Sequence, residues 1–162
     1  MAGVSGDDYI AALPRKRMGS GVLIRHPRDD RVLLVEPTYK DDWEIPGGAV
    51  EADESPYTAA ARELTEELGL VVAPGRLLVV DWVAPRDGRT EGVMFVYDGG
   101  TIDSVRAAEI VVPPGELHGW AWSTPEQAGQ RLSPLLARRV AAAQLAVRDG
   151  VTAYLEDGHP VG

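Results

Sequence analysis

The stretch Ser55–Leu70, SPYTAAARELTEELGL, constrains the fold more than any other part of the chain. Ser55 is a good N-cap, Pro56 suits the first helical position, and Gly69 can close the last turn in a left-handed conformation. Between these signals Tyr57, Ala60, Ala61, Leu64 and Leu68 recur at helical spacing and form an apolar stripe. Glu63, Glu66 and Glu67 fall together on a second face, roughly 120° round the helix from that stripe. A helix so patterned docks by one side and shows its acids on another.

Three acids in that place need a reason. Like charges at this spacing cost about 0.2–0.5 kcal/mol per pair, and the carboxyl end of a helix prefers cations. A solvated acidic face is one reading. The other is a divalent cation, which would reverse both penalties and whose hard character suits carboxylate oxygen. On spacing alone both readings stand.

Around this helix the chain alternates apolar runs with turn residues. Residues 18–25 (MGSGVLIR) and 31–36 (RVLLVE) read as strands of a hairpin across HPRDD, and AVE at 49–51 as a short extended piece after a loop. Residues 76–83 and 92–98 read as strands around APRDGRT, and 117–122 as a last strand. Residues 125–132 and 134–149 read as helices, the second with Leu136, Val140, Ala143 and Val147 on one face and Gly150 as its cap. This order predicts an α/β (α+β) fold in one domain over 1–162, with a short extension at 1–13 and a tail at 151–162.

Charge and composition narrow the chemistry. Sixteen Lys and Arg stand against twenty-five Asp and Glu, a formal charge of -9, which disfavours a nucleic-acid partner. A polyanionic substrate would need a cation between it and the protein. The absence of cysteine removes disulfides, thiolate metal sites and cysteine nucleophiles. No apolar run approaches membrane-spanning length and no signal core opens the chain, so the expectation is a cytoplasmic protein without a membrane partner.

Gly48, Glu54, Arg62, Glu63, Leu64, Glu66, Glu67, Gly69 and Leu70 fit G-x5-E-x7-R-E-U-x-E-E-x-G-U at every fixed position, where U is apolar. This resembles the box of the Nudix hydrolases, and Trp43-Glu44-Ile45-Pro46-Gly47 is similar to that family's lead-in. The resemblance implies an α/β/α sandwich with a mixed β-sheet, and Mg2+-dependent hydrolysis of a diphosphate bond with Mn2+ as a substitute. It implies Glu63 and Glu67 as principal metal ligands and Glu66 as ligand of a further ion or activator of water. Gly48 would allow close backbone approach, with a carbonyl there as a metal ligand. Arg62 would orient Glu66 or Glu54, and Glu54 would steady the loop.

Family members often carry a further catalytic Glu after the box. Glu116, in GELHGWAW, suits that placement better than Glu109, while His118 nearby reads as a hydrogen-bonded structural residue in preference to a proton shuttle. Tyr39, Trp43 and Trp82 are candidate stacking platforms for a base, or core aromatics. Arg17, with Arg15 and Lys16, is a candidate for a terminal phosphate, as are Arg86 and Arg89 in the loop that also holds Pro85. The expected substrate is a small molecule of the nucleoside diphosphate type, such as ADP-ribose, a nucleotide sugar or a (d)NTP, and a homodimer is among the expectations. The alternative is a sensing module on the same fold, with little or no turnover.

Overall fold

The computed structural model describes residues 6–162. The elements are α1 (Gly6–Ala12), β1 (Arg17–Arg25), β2 (Val32–Pro37), β3 (Gly47–Ala49), α2 (Pro56–Leu68), β4 (Leu77–Val83), β5 (Gly92–Thr101), α3 (Ser104–Ala107), β6 (Leu117–Ser123), α4 (Pro125–Arg131), α5 (Pro134–Asp149), β7 (Ala153–Glu156) and β8 (His159–Pro160). The strands lie in the order β6-β2-β1-β5-β4-β7-β8, with β3 paired to β1 off this path. β1 with β5 and β4 with β7 are parallel and the remaining pairs antiparallel, so the sheet is mixed.

The central strands are apolar on both sides because helices cover both faces. Val22, Ile24, Leu33 and Val35 pack against Ala60, Leu64 and Leu68 of α2. Leu23, Val32, Leu34, Leu78 and Leu155 pack against Val140, Ala143 and Ala146 of α5. Each fully buried Leu contributes roughly 1.5–3 kcal/mol. The α/β/α sandwich is therefore present.

Helix α2 starts and stops where its sequence dictates. The Ser55 hydroxyl accepts from the Thr58 N–H at 3.1 Å, and Gly69 sits at φ 66° with its N–H on the carbonyls of Leu64 and Thr65. The stripe is rotated slightly from the expected one. Ala59 is buried where Ala61 is only partly so, and Tyr57 stays substantially exposed, its hydroxyl on the Pro74 carbonyl and its ring edge-on to Tyr97.

Two ends differ from expectation. Gly6–Ala12 of the extension is a helix with no buried residue, and residues 1–5 lie outside the described residues. The segment 151–162 is no free tail. Its strand β7 adds to β4 from Val79↔Ala153 to Trp82↔Glu156, and β8 folds back on β7. The Asp157-Gly158 turn is anchored by the buried Asp81 carboxylate, which accepts from the Gly158 N–H at 3.0 Å and from Arg139 Nε at 2.7 Å. β5 also runs three residues beyond the expected Asp98, which pairs with Arg25 at 3.0 Å. Among the described residues no helix is long and apolar enough to cross a membrane.

Candidate active site

The acids of α2 are brought to the sheet by β3. Gly47, Gly48 and Ala49 pair with Gly21, Ser20 and Gly19 of β1, and this close approach requires glycine. A Cβ on Gly47, at φ 149°, would lie 2.6 Å from the Gly21 Cα. A Cβ on Gly48 would lie 2.6 Å from the carboxyl carbon of Glu63, so the Glu63 carboxylate occupies the space a side chain would fill. Glu67, one helical turn on, accepts from the Gly47 N–H at 2.8 Å. Two consecutive glycines thus each carry one carboxylate of the helix.

Arg62 organises the acids from the other side. Its guanidinium donates to Glu54 Oε1 at 2.9 Å, Glu54 Oε2 at 3.0 Å, Glu63 Oε1 at 2.9 Å, Glu66 Oε2 at 3.0 Å and the Ala49 carbonyl at 3.0 Å. Five contacts use the full donor capacity of the group, so Arg62 has none to spare for a substrate. Its hydrogen bonds to Glu54, with the one to Glu63, hold it protonated above the usual arginine range. The same bonds to Arg62 hold Glu54 down at about 2. Glu66 is the most open of these acids, 54% exposed against 13% for Glu63.

Burial moves the two inner acids the opposite way. It pushes Glu67 up to about 8, against the Gly47 N–H, with the charges of Glu63, Glu44 and Glu116 adding to the rise. Burial, helped by Glu66 and Glu116, also raises Glu63 despite its bond to Arg62. Two raised carboxylates on one helix face, with a single guanidinium shared among Glu54, Glu63 and Glu66, are a fit donor set for a hard divalent cation. Among the described residues, no three His, Asp or Glu side chains converge into a finished cage. Glu63 leans to Arg62 and Glu67 to Gly47 instead.

The far wall comes from strands. Thr38, just after β2, donates its N–H to the Glu116 carbonyl at 2.9 Å and its hydroxyl to the Gly115 carbonyl at 2.8 Å. This places Glu116 where its charge reaches Glu63, Glu67 and Tyr39. Glu109 lies elsewhere, 3.6 Å from Arg106 beyond α3. His118 is exposed on β6.

Glu44 was not singled out by its sequence and belongs beside these acids. It pairs with Val35 of β2, which faces α2. Its carboxylate accepts from the Tyr39 hydroxyl at 3.2 Å and from the Lys40 ammonium. Partial burial of the Tyr39 hydroxyl, together with the fields of Glu44, Glu67 and Glu116, pushes that phenol up to about 12, although most of the ring is exposed. The available signal was its place inside WEIPGG, three residues before Gly47 closes on β1.

The other two aromatics sit apart from these acids. Trp43 packs into the α4–α5 layer under the Arg131 guanidinium, 4.5 Å from its ring centroid. Trp82 donates to Glu91 at 2.8 Å near the β4–β5 hairpin, where Lys16 also meets Glu91 and Arg17 donates to the Thr90 carbonyl. Arg86 is paired with Asp157, and Pro85 lies exposed in the same loop. Arg15, Lys16 and Arg17 line a cavity of about 580 Å³, floored by Met18, Val93 and Phe95 and edged by Glu51, Asp53 and Glu54. Glu54, at the edge of this cavity, shares the Arg62 guanidinium with Glu63.

A model of the NUDIX domain matches residues 15–144. The chain is 42% identical over 83 residues to diphosphoinositol polyphosphate phosphohydrolase 2 of Rattus norvegicus, across 51% of this chain and 44% of that one. It spans less than half the length of that relative. It is 27% identical over 125 residues to a MutT-like protein of Streptomyces ambofaciens, across 75% of this chain and 71% of the relative. In structure it resembles the NUDIX domain of Shewanella oneidensis NrtR, crystallised with ADP ribose, with a TM-score of 0.68 and 18% identity over 88% of this chain and 99% of that one. With the box acids set around paired glycines and the domain model covering most of its length, the chain belongs to the Nudix family.

Proposed function

We propose that this protein hydrolyses a diphosphate bond in a nucleoside diphosphate-linked small molecule, such as ADP-ribose, a nucleotide sugar or a (d)NTP, with Mg2+ as cofactor and Mn2+ as a substitute. The observation that carries this reading is the seating of Glu63 on Gly48 and of Glu67 on Gly47. Glu63 and Glu67 would hold the metal with a backbone carbonyl near Gly48, and Glu66 is free enough to bind a further ion or take a proton from water. The bound cation supplies charge neutralisation of the phosphates and lowers the pKa of attacking water.

The chain's own residues then divide the remaining work. Arg62 keeps Glu63 and Glu66 in register with Glu54 and does not touch substrate. Glu116 enters from the opposite wall as a catalytic acid. Tyr39, exposed beside these groups, is the aromatic best placed to stack on a base, and the cavity around Arg17, lined by bases and acids alike, suits a more distant sugar or phosphate.

A Mg2+-dependent screen of nucleoside triphosphates, nucleotide sugars, dinucleotides and ADP-ribose, with products resolved by chromatography, tests the reading. At least one class is turned over by the wild type, and Glu63→Gln abolishes that turnover. Tight binding without products in either metal would move the protein to the sensing alternative.

A further inference from the structure

The chain contains only two lysines, Lys16 and Lys40, among its sixteen basic residues. Lys40 stands in the loop that leads from β2 into Glu44. Its ammonium contacts the Glu44 carboxylate and lies 5.9 Å from the centroid of the Tyr39 ring, and Tyr39 bonds the same carboxylate. The loop is stapled at its start to the segment bearing Glu116, through Thr38. Lys40 is therefore carried on Glu44, one of the acids whose charge reaches Glu67.

The charge arrangement leaves a need that Lys40 fits. Glu44, Glu63, Glu66, Glu67 and Glu116 gather there, and a diphosphate brings further negative charge. Arg62 is committed to Glu54, Glu63, Glu66 and the Ala49 carbonyl. Arg131 lies over Trp43 in the opposite layer, bonded to Ser123. Among the described cations beside these acids, Lys40 is the one whose charged head is partly exposed and held by a single carboxylate. An exposed lysine–carboxylate pair costs little to open, because water screens it. A lysine on a phosphate oxygen makes a charge-assisted bond of the same kind, and a diphosphate offers it more negative charge than one carboxylate does. An ammonium on a long flexible stem can make that exchange, whereas a fork already fixed in five bonds cannot.

We propose that Lys40 is a substrate-binding residue that leaves Glu44 for a phosphate oxygen of the diphosphate, so that Glu44 serves as its resting place and competes with substrate for it. This rests on the hydrolase reading above. It adds a ligand outside the box and assigns Glu44 an inhibitory share in substrate affinity.

The test titrates methylenebisphosphonate, a diphosphate that cannot be hydrolysed, into the full chain in Mg2+ by calorimetry. Wild type, Lys40→Ala, Glu44→Gln and the double variant are compared. Lys40→Ala weakens binding roughly tenfold or more and flattens its dependence on salt, with the unfolding temperature unchanged. Glu44→Gln tightens binding when Lys40 is present and does nothing when it is absent. An unchanged affinity in Lys40→Ala overturns the inference. So does a gain from Glu44→Gln that is equal in both backgrounds, because it would reflect general relief of negative charge. If the wild type itself fails to bind the diphosphonate in Mg2+, the hydrolase reading falls first and takes this inference with it.

Discussion

Glu67→Gln should make the metal-free protein more resistant to alkaline pH. Burial pushes the Glu67 carboxyl up to about 8 in the folded chain, from an ordinary 4.5. The folded state therefore holds a proton that the unfolded state has released. Its contribution to stability is fully present below the unfolded value and is lost as pH rises through about 8. Between about pH 5 and about pH 9 this one group should cost about 4 kcal/mol, as an upper figure before neighbouring acids relax. Glutamine cannot ionise, yet its side-chain carbonyl can still accept the Gly47 N–H that Glu67 accepts at 2.8 Å. Urea unfolding of EDTA-treated protein at both pH values measures the difference of differences, which removes the background from the other acids. The wild type should lose much more stability than the variant on going to high pH. Mg2+ should then restore the wild type at high pH and leave the variant unchanged. Parallel profiles for the two proteins would show that Glu67 is ionised and solvated without metal, and the buried, proton-holding site would be refuted.

Three further outcomes follow from the contacts around Glu67. Gly48→Ala should drive the Glu63 carboxylate off its seat and lower Mg2+ affinity and turnover by orders of magnitude, and calorimetric titration with Mg2+ reads this directly. Arg62→Ala should lower both unfolding temperature and turnover, while Arg62→Lys recovers only part of either, because one ammonium cannot bridge Glu54, Glu63 and Glu66 together; thermal melts and steady-state rates separate the two effects. Glu116→Gln should lower kcat more than it changes KM, and Glu109→Gln, on an exposed partner of Arg106, should behave as wild type; the reverse ranking would transfer the catalytic assignment to Glu109.

Local signals explain what the sequence made legible. Helix α2 could be read because its cap residues, proline and stripe all lie within sixteen consecutive positions. Its acids could be grouped because helical geometry alone puts them on one face. Trp43 and Trp82 could not be placed, since the face a strand residue takes depends on pairing with distant segments. Glu44 pairs with Val35 and so turns toward α2, which sends its neighbour Trp43 into the opposite layer beneath Arg131. Residues 151–162 read as a tail because four- and two-residue strands carry little periodicity. The Asp157-Gly158 dipeptide was the one local hint of a hairpin, and the Asp81 anchor lies 77 positions from its Gly158 partner.

That C-terminal hairpin also determines which edge the sheet presents beyond β4. An open sheet edge is a template on which another chain can add a strand. Here β7 covers the flank of β4 and β8 covers β7, and the last strand is two residues long and ends in Pro160, which has no N–H to offer a newcomer. Cutting the chain before Ala153 would leave Val79 to Trp82 without their partners and the Asp81 carboxylate without its backbone donor. The shortened protein would expose the mostly apolar edge of β4, and its first failure would be self-association into aggregates, with the acids of α2 still intact.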